Sequence, residues 1–217
     1  MKQYFAAFTA LATLALAGAA HAEAGDFQIR LRAIGVLPTE SAGGINPALP
    51  TASVGVDNAY TGEVDFTYFF TKHIGAELIL ATSNHDVTGR GALSGIGKII
   101  DARVLPPTLT VQYHFNPDGK FRPYLGAGVN YSVFYGVDAT QTLVDAIGPV
   151  DVSADSSLGW AVQGGIDYAI DKHWFVNVDL KYVSLDTRVT LHQGATRNSV
   201  NVDLDPLIVG VGVGYRF

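Results

Sequence analysis

The sequence predicts an all-β fold, an antiparallel barrel of eight strands. Three observations predict it. Beyond residue 25, apolar and polar residues alternate with a period of two rather than 3.6, which marks strands with two unlike faces. The alternating segments number eight, joined by connections that are tight and long by turns. Aromatic residues gather at the segment ends.

The segments run over about 26–36, 58–70, 73–84, 102–115, 121–136, 157–170, 174–186 and 201–217. Tight turns fall near Thr71-Lys72, Asn116-Pro117-Asp118-Gly119 and Asp171-Lys172, where turn-forming residues cluster. Long polar or glycine-rich connections cover about 37–57, 85–101, 137–156 and 187–200. Within the third, "QTLVDAIG" favours a short helical turn. Residues 23–217 therefore read as a single barrel domain, with no linker and no repeat beyond the hairpin rhythm.

Residues 1–22 read as a secretory signal peptide. Lys2 supplies the positive start, "FAAFTALATLALAGAA" the apolar stretch, and Ala20-His21-Ala22 a small-residue cleavage site. Cleavage after Ala22 leaves the mature chain slightly more negative than the −6 of the whole. A retained membrane anchor is the alternative reading, disfavoured by the short run and the good cleavage site. No stretch of the mature chain is apolar for the ~18 residues a spanning helix needs. The chain has no cysteine, so disulfides, thiolate metal sites and cysteine nucleophiles are excluded. The acidic balance gives no basic footprint for nucleic acid.

The two faces of the strands decide between a soluble barrel and a membrane barrel. A soluble up-and-down barrel such as a lipocalin is apolar inside, and a membrane barrel inverts this. One face carries Tyr60, Val64, Phe66, Tyr68 and Phe70, then Leu109, Val111, Tyr113 and Phe115. It continues with Leu125, Val129, Tyr131, Val133 and Tyr135, then Leu158, Trp160, Val162, Ile166 and Tyr168, then Trp174, Val176, Val178, Leu180 and Tyr182. The other face carries Arg30, Arg32, Glu63, Asp65, Glu77, Gln112, His114, Asn130, Gln163, Asp167, Asn177, Asp179, Lys181 and Arg216. Those charges are untenable in a greasy cavity. On a lipid face, each at mid-depth would cost roughly 2–4 kcal/mol. Across a narrow lumen they can pair. The barrel is thus of the outer-membrane type, with short periplasmic turns and long extracellular loops.

The segments "HIGAEL" (73–78), "LPPTL" (105–109), "KFRPYLGAGVNY" (120–131), "GIDY" (165–168) and the terminal "GYRF" (214–217) resemble the outer membrane protein W (OmpW) family of Gram-negative bacteria. The resemblance runs in order along essentially the whole mature chain. It implies an eight-stranded barrel with a narrow lumen, passage of small hydrophobic molecules, a part in stress adaptation, and outer loops that serve as receptors for bacteriocins or phage. It also implies a C-terminal aromatic, here Tyr215 and Phe217, read by the barrel assembly machinery.

Height within the barrel sorts the inward positions. The charges Arg30, Arg32, Glu63, Asp65, Glu77, Asp167, Asp179, Lys181 and Arg216 mostly fall in the periplasmic half and form a polar floor. Ile34, Ile79, Ala81, Val104, Phe134, Val183, Leu185 and Ile208 lie nearer the long loops and form an apolar funnel. An eight-stranded barrel has room for its own side chains or one small ligand. An apolar solute would enter from outside, meet the polar floor and leave sideways into the membrane. The alternative is a plugged, non-conducting barrel whose extracellular loops act as a receptor, adhesion or stress-adaptation surface. Lys181 stands where the family resemblance calls for a bulky apolar residue opposite Ile79, and it is expected to pair with Glu77 or Asp179. Pro106 and Pro107 cannot donate to a strand ladder, so either they loosen a lateral seam or the strand starts at Thr108.

Other signals point to no chemistry. His21 leaves with the signal, His73 and His173 sit in tight turns, His85 and His192 in long connections, and His114 faces the lumen. No metal-ligand spacing occurs, and no cofactor is called for. Ser83 and His85 share a stretch, but G-x-S-x-G is absent and no triad is legible, so an enzyme is not expected. The expected partners are outer-membrane lipid, small hydrophobic solutes, and lipopolysaccharide, whose phosphates Arg90, Lys98, Arg103, Arg188 and Arg197 could pair unless they are ordinary solvated charges. In the last strand, Gly210, Gly212 and Gly214 are expected to face inward and leave room for Arg32 and Asp65.

Overall fold

The computed structural model describes residues 23–48 and 50–217, so the expected signal peptide at residues 1–22 lies outside the described residues. The first half carries strands β1 (Phe27–Leu37), β2 (Ser41–Ala42), β3 (Ala52–Val56), β4 (Ala59–Phe69), β5 (Ile74–Ala81), β6 (Ser83–Gly91), β7 (Lys98–Leu105) and β8 (Thr108–His114). The second half carries β9 (Phe121–Ala139), helix α1 (Gln141–Ile147), β10 (Asp151–Ala154), β11 (Ser157–Ala169), β12 (Trp174–Val183), β13 (Asp186–Gln193), β14 (Thr196–Asp203) and β15 (Leu207–Arg216). Neighbours pair in the order β1, β4, β5, β8, β9, β11, β12, β15. The ring closes by antiparallel pairing of β15 with β1, from Gln28↔Arg216 to Leu37↔Leu207. These strands span the membrane. Closure gives every edge a partner, as hydrocarbon demands of a spanning sheet.

The facing pattern is inverted as the alternation predicts. Leu125, Val129, Val178 and Val211 turn outward and are 55–58% exposed, while Arg30, Asp65, Glu77 and Asp167 point inward and are fully buried. Aromatic rings ring the periplasmic rim. Tyr68 meets Phe70 edge-on at 5.4 Å, Tyr113 meets Phe115 at 5.1 Å, and Tyr215 meets Phe217 at 4.9 Å. Tyr60 and Trp160 stand outward towards the other end of their strands. Such girdles fit the interfaces on either side of a bilayer.

The short turns are built as expected. Thr71 Oγ1 accepts from the His73 and Ile74 N–H groups at 3.2 and 3.0 Å. Asp171 Oδ1 does the same for His173 and Trp174, both at 2.8 Å. Those two bonds, the one from Trp174 first, hold the Asp171 carboxyl below the usual carboxylate range. His73 and His173 then latch the next strand, each through Nδ1, on the His114 and Arg216 carbonyls at 2.8 and 2.9 Å.

The long connections differ from expectation. Much of 37–57, 85–101, 137–156 and 187–200 is strand, in β2, β3, β6, β7, the end of β9, β10, β13 and β14. β3, β6 and β7 extend the wall above β9, and β10, β13, β14 and β2 form a second sheet. Their apolar residues, Ile45, Val54, Ile99, Ile100, Leu191, Val200 and Val202 among them, bury against one another in an extracellular core. Alternation is present there, but glycine, serine and asparagine between the apolar residues mask it. The short helix does form, as α1. Thr140 Oγ1 accepts the Leu143 N–H at 3.3 Å, Leu143 is buried in the same core, and Gly148 ends the helix at φ 87°.

Candidate functional site

The lumen holds two stacked environments. The floor is a continuous network of ion pairs between strands distant in sequence. Arg30 Nη1 lies 2.6 Å from Glu77 Oε1, and its Nη2 lies 3.0 Å from Asp167 Oδ2. Arg32 Nη1 contacts Glu63 Oε1 at 2.9 Å and Asp65 Oδ2 at 2.7 Å. Glu77 Oε2 also accepts from Gln112 and Gln163, both at 2.6 Å. Each of these charges is at most 5% exposed. Desolvation at this depth is tolerated because each acid has a close cation and Glu77 and Asp167 also accept hydrogen bonds, whereas the Asp65 oxygens rely on the Arg32 charge alone.

Tyr124 is a central member that sequence reasoning missed. Its hydroxyl donates to Asp179 Oδ2 at 2.8 Å and accepts from Arg32 Nη2 and Asn177 Nδ2, both at 3.1 Å. Parity with the outward Leu125 places it inward, yet an aromatic reads as lipid-facing. Phe69 and Phe175 were missed for the same reason and are buried at 0% and 1% exposure. Arg122, also inward, was missed as well. Arg216 pairs with no acid in the floor. It donates to Gln28 Oε1 through Nη2 at 2.6 Å and lies over the Phe69 ring at 4.4 Å.

Two expectations about this floor are met only in part. Lys181 forms the expected ion pair with Asp179, at 4.0 Å, but its closer partner is Glu63, at 2.9 Å. Glu77 is not its partner, because Arg30, Gln112 and Gln163 already occupy the Glu77 oxygens. The inward glycines of β15 make room for Arg32, as expected, but not for Asp65. A Cβ at Gly212 would collide with the Leu31 carbonyl and Arg32, and one at Gly214 with the Phe175 ring, while Asp65 is not among the close neighbours.

Above the floor lies an apolar cavity with about 1180 Å³ of space between its lining atoms, open mouth included. All the funnel positions line it: Ile34, Ile79, Ala81, Val104, Phe134, Val183, Leu185 and Ile208. Lys181, Glu63, Thr108 and Asn130 line it too, where it meets the floor. The cavity reaches higher than expected, because Val54, Val56, Val87, Ile100 and Val202 of the extracellular strands continue its wall.

Pro106 and Pro107 fall between β7 and β8. The ladder between β5 and β8 ends at Ile79↔Thr108, and that between β6 and β7 begins at Ser83↔Val104. Leu80–Thr82 and Leu105–Pro107 therefore face each other without a ladder. Thr82 Oγ1 bridges them, donating to Val104 O at 3.3 Å. Towards β9 the prolines are sealed, since Pro107 O accepts the Tyr131 N–H at 3.0 Å and Pro106 O accepts from Asn130 Nδ2 at 3.1 Å. Ala81, Ser83, Val104 and Pro106 border the gap and also line the cavity.

The family model of the OmpW family matches residues 23–217. The chain belongs to the OmpW family. Outer membrane protein W of Escherichia coli K12 is 39% identical over 100% of both chains. The crystal structure of the outer membrane protein OprG from Pseudomonas aeruginosa superposes with a TM-score of 0.85 at 33% identity, covering 92% of this chain and 99% of that one. The dibenzothiophene metabolism operon protein PahQ of Pseudomonas aeruginosa is 35% identical over 60% of this chain and 58% of its own length. As an OmpW-family barrel, the protein resides in the bacterial outer membrane.

Among the described residues, no group of three or more His, Asp or Glu side chains is placed to hold a metal ion. His114 is buried, with Nε2 3.1 Å from Gln112 Oε1. Of the loop cations, Arg90 pairs with Glu40 at 2.7 Å, and Lys98 pairs with Asp86 and Asp101 at 2.9 and 2.5 Å. Arg188 donates to Asn201 Oδ1 at 3.0 Å.

Proposed function

We propose that this barrel is a conduit for small hydrophobic molecules, which enter the funnel from outside and leave sideways into the membrane. The observation that carries this reading is an apolar cavity that ends on a buried floor of paired charges, beside a gap in the barrel wall. A greasy solute gains by leaving water for the apolar wall, at about 25 cal/mol per Å² of apolar area buried. It cannot cross the floor without separating Arg30, Arg32 and Lys181 from their carboxylates, which costs several kcal/mol for each uncompensated charge. The remaining route lies between Leu80–Thr82 and Leu105–Pro107. The name of the relative PahQ, tied to the metabolism of the apolar heterocycle dibenzothiophene, supports the same class of solute.

The seam is tested by Pro106→Val combined with Pro107→Thr, which returns two backbone donors to the ladder. Transfer of an apolar fluorescent probe into the bilayer of proteoliposomes slows several-fold, while probe binding in the funnel is kept. Faster release by the variant contradicts the lateral route.

We assign the C-terminal aromatics a role in assembly. Phe217 closes the last strand, its N–H bonded to the Phe27 carbonyl at 2.9 Å and its ring against Tyr215 at the periplasmic rim. Deleting Phe217 is expected to leave unassembled chain in the periplasm, measured as loss of the heat-modifiable folded band in outer-membrane fractions. Normal insertion of the truncated chain contradicts this role.

A further inference from the structure

Above the floor, the hydroxyl groups on the cavity wall have a common polarity. Ser83 and His85, both inward on β6, line the cavity, and Ser83 Oγ lies 2.9 Å from His85 Nε2. His85 Nδ1 lies 3.0 Å from the Asp57 carbonyl. A carbonyl oxygen only accepts, so Nδ1 carries the proton and the Nε2 lone pair faces Ser83. Burial pushes the His85 imidazole below its ordinary value, which keeps the ring neutral. The Ser83 hydroxyl must therefore donate its single proton to His85. What it presents to the cavity is oxygen lone pairs.

The threonines of the wall behave alike. Thr61 donates to the Thr82 carbonyl at 2.8 Å, Thr187 to the Asp155 carbonyl at 2.7 Å, and Thr108 to the Pro106 carbonyl at 3.0 Å. Thr108 already accepts from Asn130 Nδ2 at 2.8 Å, and the Thr61 contact lies in an exposed place. Among the described residues, Ser83 Oγ and Thr187 Oγ1 accept from no protein donor, and of the two Ser83 borders the gap in the wall, opposite Val104. The Lys181 ammonium, at the floor, is turned to Glu63.

We propose that the funnel selects apolar molecules that carry a hydrogen-bond donor, aliphatic alcohols and phenols, over equally apolar ethers and hydrocarbons, with Ser83 Oγ as the accepting atom. Burying a hydroxyl without a partner is costly, and Ser83 removes that cost. At Ser83 an ether oxygen meets another acceptor and gains nothing. This selectivity rests on the conduit reading above.

The test uses 1-octanol, 1-methoxyheptane and nonane, which match in heavy-atom count. Each displaces a fluorescent apolar probe from the protein in bicelles, with affinities corrected for partition into protein-free bicelles. The wild type binds octanol about five- to tenfold more tightly than the ether. Ser83→Ala removes this preference and leaves nonane unchanged. His85→Leu frees the Ser83 proton to donate, so the ether gains and the preference narrows. Equal binding of octanol and ether by the wild type overturns the selectivity, and so does a preference that survives Ser83→Ala. If none of the three compounds binds, the conduit reading falls and the selectivity with it.

Discussion

Arg32→Ala lowers the stability of the barrel by about 3–5 kcal/mol. Arg32 is 3% exposed and joins Glu63, Asp65, Asn177 and Tyr124 within one guanidinium's reach. Its removal leaves Asp65 and one oxygen of Glu63 in the lumen without a cation, although Lys181 still holds the other. Denaturant unfolding in lipid vesicles, followed by the heat-modifiable folded band, measures the loss. Neutralising the acids as well, in an Arg32→Met, Glu63→Gln, Asp65→Asn variant, recovers most of it, because uncompensated charge rather than a missing contact is the main cost. A loss below about 1 kcal/mol for Arg32→Ala would mean that water enters the floor and solvates the acids.

Ile79→Asp combined with Phe134→Asp cuts uptake of an apolar probe at least about tenfold, to the rate of protein-free membranes. Both residues line the cavity, Ile79 near the floor at 2% exposure and Phe134 beside Val104. Carboxylates there hold water that an apolar solute must strip away, at a cost of several kcal/mol. The variant's folded band shows whether the barrel still assembles. Unchanged uptake by a folded variant would mean that the solute does not pass through the funnel.

Much of this architecture was legible because a barrel strand has a strict period. Parity alone placed Arg30, Glu77 and Asp167 inside, Val129 and Val211 outside, and Ile34 and Ile208 together on the wall of one cavity. Parity does not tell which charges meet across the lumen. Lys181 and Glu63 lie 118 residues apart, and their pairing depends on Glu77 being occupied by Arg30. Tyr124 and Phe175 were hidden because aromatics signal an interface, whereas here they fill space left by Gly165 and Gly214. The extracellular strands were illegible for another reason. They bury their apolar faces on one another, and their glycines and small polar residues resemble those of a loop. The shared stretch of Ser83 and His85 did not reveal the polarity of their bond, because the Asp57 carbonyl that fixes the histidine's proton is brought over by the turn of β3 into β4.

The lateral route is tested most directly by where a solute first arrives. Proteoliposomes are prepared with one quencher confined to the bilayer, on brominated lipid, or another trapped in the internal water, and an apolar fluorophore is added outside. The account predicts that bilayer quenching accelerates with wild-type protein, internal aqueous quenching lags behind it, and Pro106→Val with Pro107→Thr slows both together. Internal quenching that comes first, and is untouched by the seam variant, would contradict it and place the path through the floor.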